Sequence, residues 1–287
     1  MTWTSPSGDD TLSHEDLLRV AKFVDNVAGI QLPATKKVLV ETRLRKRQKA
    51  LGYDSLIAYV DDVLTGKGEA FEVTHFLDAL TTNKTGFYRE AEHFEFLLNY
   101  IATNKQKLPN HFKVWSAGCS SGEEAYTLAI ELMELSHQLT AFTPEIVATD
   151  ISVSCLAAAQ KAIYSHDKIE MMPIEKRRRH LLRSKNKSDP RIMIAPETAN
   201  RVSFGEFNLK TSDYTPFKQQ FGAIFCRNVM IYFGNVDRQK LTERFAACLV
   251  DGGLLFIGHS ESLLDKRGQF ERLIPTVYRK RGQPKHD

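Results

Sequence analysis

The chain has 287 residues, 42% hydrophobic and 26% charged, which is typical of a globular protein of one large or two smaller domains rather than a disordered chain. The formal net charge of +4 is too small to demand a nucleic-acid partner. There is no apolar run of the roughly 18 residues that span a bilayer and no signal-peptide pattern, so we expect a soluble, cytoplasmic protein.

Amphipathic helices are predicted for the first part of the chain. Ser13 is a candidate N-cap, and acidic and apolar residues follow it at helical spacing up to Gly29. Three further helices are predicted, each closed by glycine or polar residues, in 34–53, 54–66 and 69–83. Residues 1–80 are therefore predicted to form an all-helical N-terminal domain.

Strands and helices alternate in the rest of the chain. A polar connecting segment, TTNKTGFYREAEHF, leads into a helix, and strand–turn–helix units then follow one another. This order predicts an α/β domain with a mainly parallel sheet. Residues 164–206 break the alternation with a basic run, the polar loop SKNKSD and the β-like segment RIMIAP, so an inserted subdomain is predicted there.

Three predicted strands end in residues that suit a ligand, which in doubly wound sheets lies at the carboxyl ends of the strands. The first strand runs into SAGCSSGEE, where Gly118 and Gly122 allow a tight turn. The second ends at Asp150, placed to accept hydrogen bonds from two ribose hydroxyls. A later strand adds Arg227, Asn228 and Tyr232. Together these residues indicate a cofactor that contains a nucleoside.

The turn after the first strand helps to decide between candidate cofactors. It is not G-x-G-x-x-G, and Gly118 and Asp150 lie about ten residues further apart than the roughly 20 of the dinucleotide fingerprint. Glu123 and Glu124 would repel a phosphate, which disfavours NAD and ATP, whereas S-adenosylmethionine has a sulfonium and no phosphate. The alternative is that both glutamates only favour the helix N-terminus through its dipole.

The sequence lacks the motifs of other methyl-transfer chemistries. No [DN]-P-P-[YFW] follows the fourth strand, where the sequence reads CRNVMIYF, and no Pro-Cys nucleophile occurs. The four cysteines, Cys119, Cys155, Cys226 and Cys248, are far apart and share no metal-ligand spacing. We therefore expect buried, reduced cysteines and no metal.

Five segments resemble the chemotaxis receptor methyltransferases, the CheR family: TTNKTGFYREAEHF, KVWSAGCSSGEEAY, IVATDIS, AIFCRNVMIYF and GLLFIGHSESL. The resemblance runs in order from about residue 14 to 280. It implies a helical receptor-binding domain (1–80), a linker at the cofactor site (81–91) and a Rossmann-like methyltransferase domain (92–287) with an inserted β-subdomain (about 164–206). The implied activity is methyl transfer from S-adenosylmethionine, leaving S-adenosylhomocysteine, to glutamate side-chain carboxylates of chemoreceptor cytoplasmic helices.

The resemblance also implies site residues. It places the cofactor on Asn83, Thr85, Arg89, Glu124, Asp150, Asn208, Leu209, Arg227 and Asn228. Arg89 and Tyr232 are the predicted catalytic residues, orienting the carboxylate or the cofactor. The alternatives are that Arg89 and Glu90 only cap the next helix and that Tyr232 only packs. The chain departs from the family at 86–88, Gly-Phe-Tyr where Ala-Phe-Phe is frequent, and at Ala125, where many relatives have Pro.

A local basic face suggests the partner. Lys36, Arg43 and Arg47 share one helical stripe, although residues 1–80 hold ten basic and twelve acidic side chains. We predict that this stripe binds the glutamate-rich region of a receptor; the alternative is a solvated helix face. The loop SKNKSD lacks the glycines of relatives that bind a receptor C-terminal peptide, so that contact stays open. We expect a monomer, and the alternative functions are methylation of another substrate or catalytically silent receptor binding.

Overall fold

The computed structural model of the chain describes residues 10–67, 70–186 and 188–282. Residues 1–9 of the predicted N-terminal domain and Lys187 of the SKNKSD loop lie outside the described residues. The helices are α1 (His14–Ala28), α2 (Lys37–Ala50), α3 (Leu56–Thr65), α4 (Ala70–Leu80), α5 (Glu92–Asn104), α6 (Glu123–Ser136), α7 (Val153–Lys161), α8 (Ile174–His180), α9 (Pro196–Ala199) and α10 (Asn235–Cys248).

The first helix begins and ends where the sequence predicts. Ser13 Oγ accepts from the Asp16 backbone N–H, and the Asp16 carboxylate accepts from the Ser13 N–H, each at 3.0 Å, which is a capping box. The helix stops at Gly29, whose φ of 74° lies in the left-handed region. The second helix is shorter than predicted, because a single 3₁₀ turn, Ala34–Lys36, follows Pro33 and precedes it.

Helices α1 to α4 enclose their own apolar core. Val20 and Val24 of α1, Leu44 of α2, Tyr59 of α3 and Phe76 of α4 are all buried in it. Each comes from the apolar stripe of its helix, so the periodicity that predicted the helices also identified the faces that pack together. The all-helical character of this part of the chain is confirmed.

The strands are β1 (His111–Ala117), β2 (Thr143–Asp150), β3 (Ile163–Ser165), β4 (Leu181–Arg183), β5 (Arg191–Ile194), β6 (Val202–Glu206), β7 (Phe221–Cys226), β8 (Leu249–Ile257), β9 (Phe270–Ile274) and β10 (Val277–Lys280). Seven of them form one sheet in the order β6-β2-β1-β7-β8-β10-β9. Neighbouring strands pair in parallel from β6 through β2, β1 and β7 to β8, and β10 is antiparallel to both of its neighbours, β8 and β9. The predicted α/β domain with a mainly parallel sheet is confirmed.

The inserted subdomain is smaller than predicted. Strands β3, β5 and β4 form a separate antiparallel sheet, beginning at Ile163. The predicted end at residue 206 needs correction, because Val202–Glu206 pairs in parallel with β2, from Ile146 to Asp150, at the edge of the large sheet. A segment as short as VSFGE cannot by its local pattern reveal which of two sheets it joins.

The strand order changes direction between β1 and β7. From β1 the chain proceeds outward to β2 and β6, and then returns to β7 on the other side. At such a switch point the loops that follow the two central strands diverge and leave a crevice at their carboxyl ends. This crevice positions the site described next.

Candidate active site

A cavity lies at the carboxyl ends of β1, β2 and β7, and the linker and the N-terminal domain complete its wall. The wall includes all nine residues predicted to bind the cofactor: Asn83, Thr85, Arg89, Glu124, Asp150, Asn208, Leu209, Arg227 and Asn228. It also includes the predicted catalytic Tyr232 and the predicted receptor-binding Lys36. Segments far apart in sequence therefore meet at one place, while the role of each residue there stays a prediction.

The turn after β1 is shaped by a close approach of two loops. The backbone N–H groups of Gly118 and Cys119 both donate to the Thr149 carbonyl, at 2.8 and 2.9 Å. Gly118 has a φ of 84°, and a Cβ there would lie 2.5 Å from Val229 Cγ2 in the loop after β7. Glycine is required at this position both for its conformation and for its lack of a side chain.

The Asp150 carboxylate is tied to the backbone on both sides. It accepts from the Ser120 N–H at 2.7 Å and from the Ser152 N–H at 2.8 Å. Burial raises its pKa, and backbone N–H groups of Ser152, Ser120 and Ile151 oppose that effect. A carboxylate can accept about four hydrogen bonds, so Asp150 is held rigidly and can still accept from a hydroxyl group of a ligand.

A buried ion-pair network joins the linker to the sheet. The Arg227 guanidinium lies 3.1 Å from the Glu90 carboxylate and 3.2 Å from that of Glu124, and it also donates to the Arg89 carbonyl. Ser116 Oγ donates to Glu124 at 2.7 Å. Burial raises the pKa of Glu124, and the charge of Arg227 opposes this shift. Arg227 thus fixes the linker against the cavity wall.

The structure separates two neighbouring glutamates that the sequence treated together. Glu124 lies on the cavity wall, but Glu123 points to the inserted subdomain, where it forms an ion pair with Lys168 at 2.5 Å and accepts from Ser121 Oγ at 2.7 Å. The expectation that both would repel a phosphate therefore holds for Glu124 alone. Consecutive helical residues point about 100° apart, which is the reason.

The linker is held in an unusual backbone conformation. Tyr88 and Glu90 have φ values of 56° and 53°, in a region that side chains other than glycine seldom adopt. Tyr88 Oη donates to the Glu131 carboxylate at 2.7 Å, and Arg89 donates from Nη1 to the Lys84 carbonyl at 2.9 Å. The Arg89 side chain remains 40% exposed, at the edge of the cavity.

Glu261 was not singled out in the sequence, yet it organises the loop after β7. Its carboxylate accepts from the backbone N–H groups of Asn228 at 2.8 Å, Ile231 at 3.1 Å and Gly258 at 2.5 Å. Asn228 lies in the left-handed region, with a φ of 59°. The signal in the sequence was the carboxylate in GHSES after β8, but two of its three partners, Asn228 and Ile231, are about 30 residues away and cannot be read from local pattern.

The N-terminal domain contributes part of the wall, which sequence reasoning also missed. Ala28, Ile30, Gln31, Leu32 and Leu39 line the cavity. The Gln31 N–H donates to the Tyr232 carbonyl, and Asn208 Nδ2 donates to the Val27 carbonyl, both at 2.8 Å. No local signal marks these residues, because their partners lie some 180 to 200 positions further along the chain.

Two of the three predicted receptor-binding residues have partners inside their own domain. Arg43 donates to the carbonyls of Leu80 and Thr81 at 3.0 and 2.8 Å, at the end of α4. Arg47 holds the Glu72 carboxylate of α4, with Nη2 to Oε2 at 2.6 Å. The stripe thus faces α4, and neither side chain lines the cavity. A receptor-binding role for these residues stays a prediction.

One group of metal-ligand side chains occurs among the described residues. Ligand atoms of Glu90, His93 and His259 lie within 4.8 Å of one another. The Arg227 guanidinium is 3.1 Å from Glu90 and already supplies a positive charge there. A second cation would be repelled, so the group carries no metal proposal, and the expectation of no metal stays a prediction.

Two family descriptions match nearly the whole chain. "CheR methyltransferase, all-alpha domain" matches residues 15–81, and "CheR methyltransferase, SAM binding domain" matches residues 83–278. The chain belongs to the CheR family. This confirms the predicted family, its two-part fold and S-adenosylmethionine as the cofactor, and the protein is accordingly a methyltransferase that depends on S-adenosylmethionine.

Curated CheR relatives are similar over most of their length. A "Chemotaxis protein methyltransferase" of Borreliella burgdorferi is 35% identical, over 94% of this chain and 95% of the relative. The protein of that name in Escherichia coli is 33% identical, over 93% of this chain and 91% of its own. "Chemotaxis protein methyltransferase 2" of Pseudomonas aeruginosa is 34% identical, over 93% of both. The similarity therefore covers both domains.

The cavity suits the cofactor of the CheR family. Two carboxylates, those of Glu124 and of the buried Asp150, lie on this wall, where they can face the positive charge of a sulfonium. Asn228 Oδ1 is buried on this wall without a hydrogen-bond partner among the described residues, so it can accept from a donor of the cofactor. Of the helices within the described residues, none combines the length and the apolar composition that a transmembrane span requires.

Proposed function

We propose that the protein methylates glutamate side-chain carboxylates in the cytoplasmic domains of chemoreceptors, forming methyl esters for adaptation in chemotaxis-type signalling. The curated relatives, named chemotaxis protein methyltransferases, support this proposal because the similarity includes both domains. Such receptor domains lie in the cytoplasm, and we propose the same location for the protein, acting as a monomer.

The composition of the cavity wall is the observation that carries the proposal. Among its lining residues in the described part of the chain are four cations, Lys36, Lys84, Arg89 and Arg227, of which Arg227 is paired with Glu90 and Glu124, and no histidine or cysteine. A glutamate carboxylate, with a pKa near 4.3, is already ionised at pH 7 and needs no general base. A wall with several cations and without a histidine or cysteine suits an anionic nucleophile.

The chain's own residues would act mainly by positioning. S-adenosylmethionine, when bound, supplies a methyl group on a positively charged sulfur. Arg89 and Tyr232, at the edge of the cavity, orient the incoming carboxylate, and Glu124 and the buried Asp150 and Arg227 form the inner wall. Good alignment of two reactants is worth roughly 7 to 11 kcal/mol. A wall that excludes water favours a step in which opposite charges cancel.

The test is transfer of radiolabelled methyl from S-adenosylmethionine to purified chemoreceptor cytoplasmic fragments. We expect base-labile label on native fragments and its loss on fragments whose glutamates are replaced by alanine. Label that persists after those replacements would indicate another substrate atom. Cofactor binding without any label would favour a catalytically silent receptor-binding module. Whether the sheet of β3, β5 and β4 binds a receptor C-terminal peptide stays open.

A further inference from the structure

A surface groove leads into the cavity. It is lined by one face of α1, by the segment between α1 and α2, and by the loop after β7: Leu18, Ala21, Lys22, Asp25, Gln31, Leu32, Pro33, Lys36, Ile231 and Tyr232. Gln31, Leu32, Lys36 and Tyr232 also line the cavity. The groove and the cavity are therefore continuous at the predicted catalytic Tyr232. We call this surface the entry groove.

The entry groove exposes large apolar side chains. Leu18 is 53% exposed and Ile231 is 48% exposed, although residues of this kind are usually buried. Leu18 lies beside Leu17, which is buried in the core of the N-terminal domain, so Leu18 is outside the stripe that stabilises that domain. Leu39, 40% exposed, adds a third apolar side chain on the adjoining cavity wall. Apolar side chains grouped around an opening indicate a binding surface.

The rim of the entry groove is positively charged. Lys22 and Lys36 form no ion pair with a described carboxylate. The one acid of the groove, Asp25, lies 3.7 Å from Lys210 Nζ, which is also 2.9 Å from Asp237. Among the described lining residues of the groove, Lys22 and Lys36 outnumber the single acid, Asp25, so the rim attracts an acidic partner.

We propose that the entry groove binds the acidic, amphipathic segment of the substrate protein that carries the reacting glutamate. Its apolar side chains pack on Leu18 and Ile231, and its glutamate passes between Lys36 and Tyr232 into the cavity. A glutamate side chain has only two methylene groups, so the substrate backbone must lie at the mouth of the cavity. The inference rests on the proposed function and adds where its substrate docks.

This surface differs from the basic stripe of α2. Arg43 and Arg47 are held by Leu80, Thr81 and Glu72, whereas the groove uses the outer face of α1 and the loop after β7. Only Lys36 belongs to both. Substitutions in the groove therefore separate the two surfaces.

The first experiment compares two double variants of the full chain. Leu18→Ser/Ile231→Ser removes the apolar contacts of the groove, and Leu51→Ser/Ile174→Ser, at exposed positions outside it, is the matched control. We expect the KM for the chemoreceptor fragment to rise at least tenfold in the groove variant and to stay at the wild-type value in the control. The Kd for S-adenosylhomocysteine, which reports an intact fold, should stay within twofold in both.

A groove variant with the wild-type KM for the fragment overturns the docking proposal and leaves the proposed function standing. Wild-type protein that binds cofactor but transfers no methyl to the fragment overturns the proposed function and the docking proposal with it. The two failures are thus distinguished within one experiment.

The second experiment measures docking without catalysis. The four native cysteines are buried, so a Leu18→Cys variant offers one exposed thiol for alkylation. We expect the chemoreceptor fragment to slow its alkylation at least fivefold and to leave a Leu51→Cys control unchanged. Equal rates with and without the fragment overturn the proposal. If a higher concentration of the protein without the fragment slows alkylation, the groove binds a second copy of this chain, and the docking proposal is overturned as well.

Discussion

Arg89 is a cation at the cavity edge whose position depends on neighbouring backbone. Its guanidinium donates to the Lys84 carbonyl, and its own carbonyl accepts from Arg227. We expect Arg89→Ala to lower kcat/KM for the receptor fragment by about 100-fold, because one oriented charged donor is worth roughly that factor. Arg279→Ala, at a matched 42% exposure away from the cavity, should keep wild-type kinetics. Wild-type activity in Arg89→Ala would remove Arg89 from the mechanism.

Glu261 acts on the site through the backbone it holds. Burial raises its pKa, and the backbone N–H groups of Gly258, Asn228 and Ile231 oppose this shift. A Glu261→Gln variant turns an amide NH₂ toward these donors, so the loop with Asn228 loses support. We expect the KM for S-adenosylmethionine to rise about tenfold, with a smaller change in kcat.

The matched control for Glu261 is Glu243→Gln on α10, a carboxylate whose partners among the described residues are Gln239 and Arg267. It should keep the wild-type KM for the cofactor. A Glu261→Gln variant with the same KM as this control would show that the three hydrogen bonds do not position the cofactor wall.

His93 should make stability depend on pH. It is fully buried beside Glu90, Glu92, His259 and Arg227. Burial and the Arg227 charge lower its pKa to about 4, from an ordinary value of 6.5. In the unfolded chain His93 therefore becomes protonated as the pH falls through about 6.5, whereas in the folded chain it stays neutral until about pH 4. The folded state is therefore destabilised relative to the unfolded chain as the pH falls through that window.

Urea unfolding at pH 7 and pH 5 measures this effect. We expect the free energy of unfolding of the wild type to fall by about 2 kcal/mol more than that of a His93→Gln variant between pH 7 and pH 5. A His111→Gln variant, at an exposed position, should keep the wild-type dependence. Identical pH dependence in His93→Gln and wild type would contradict the proposed cause.

At the scale of elements, α2 and α4 are joined by a buried carboxylate. Glu72 accepts from Arg47 and from Tyr59 Oη, the latter at 2.7 Å. Burial acts to raise the pKa of Glu72, but these hydrogen bonds outweigh it and lower the pKa below its ordinary value. We expect Arg47→Ala to reduce the free energy of unfolding by about 1 to 3 kcal/mol, since it leaves Glu72 with one donor.

Denaturant unfolding of Arg47→Ala and Lys46→Ala checks this assignment. Lys46 is the exposed neighbour on α2, and its removal should change stability by less than about 0.5 kcal/mol. Loss of receptor methylation in Arg47→Ala with unchanged stability would instead support the receptor-binding prediction for the stripe.

At the scale of the whole molecule, the two domains meet at Gly29. A Cβ there would lie 2.6 Å from the ring of Phe233, which lines the cavity, whereas a Cβ on Gly52 would meet nothing within 4 Å. Both glycines have positive φ, at 74° and 75°, so alanine strains the backbone equally at either position. Gly52→Ala therefore isolates the contact between domains.

We expect Gly29→Ala to raise the Kd for S-adenosylhomocysteine about tenfold, because the end of α1 must move away from the cavity wall. Gly52→Ala should lose about 1 kcal/mol of stability without a change in that Kd. Calorimetric titration measures both constants, and equal Kd values in the two variants would show that the domain contact does not hold the cofactor site together.

Local patterns predicted much of the fold and part of the site. The capping box at Ser13, the stop at Gly29 and the strand that ends at Asp150 each depend on neighbours within a few residues. Parallel strands bring their carboxyl ends to one edge, so Gly118, Asp150 and Arg227 could be grouped before their positions were known. Motif resemblance added the linker residues.

The sequence by itself therefore determined the helical and α/β character of the two parts of the chain and, through the motif resemblance, many of the residues on the cavity wall. Only the tertiary structure decided that Glu123 turns to Lys168, that Arg47 is held by Glu72, that Glu261 supports the loop after β7 and that the N-terminal domain closes the wall. The physical reason is range: periodicity and capping act over a few residues, while these contacts join positions from 25 to about 200 residues apart.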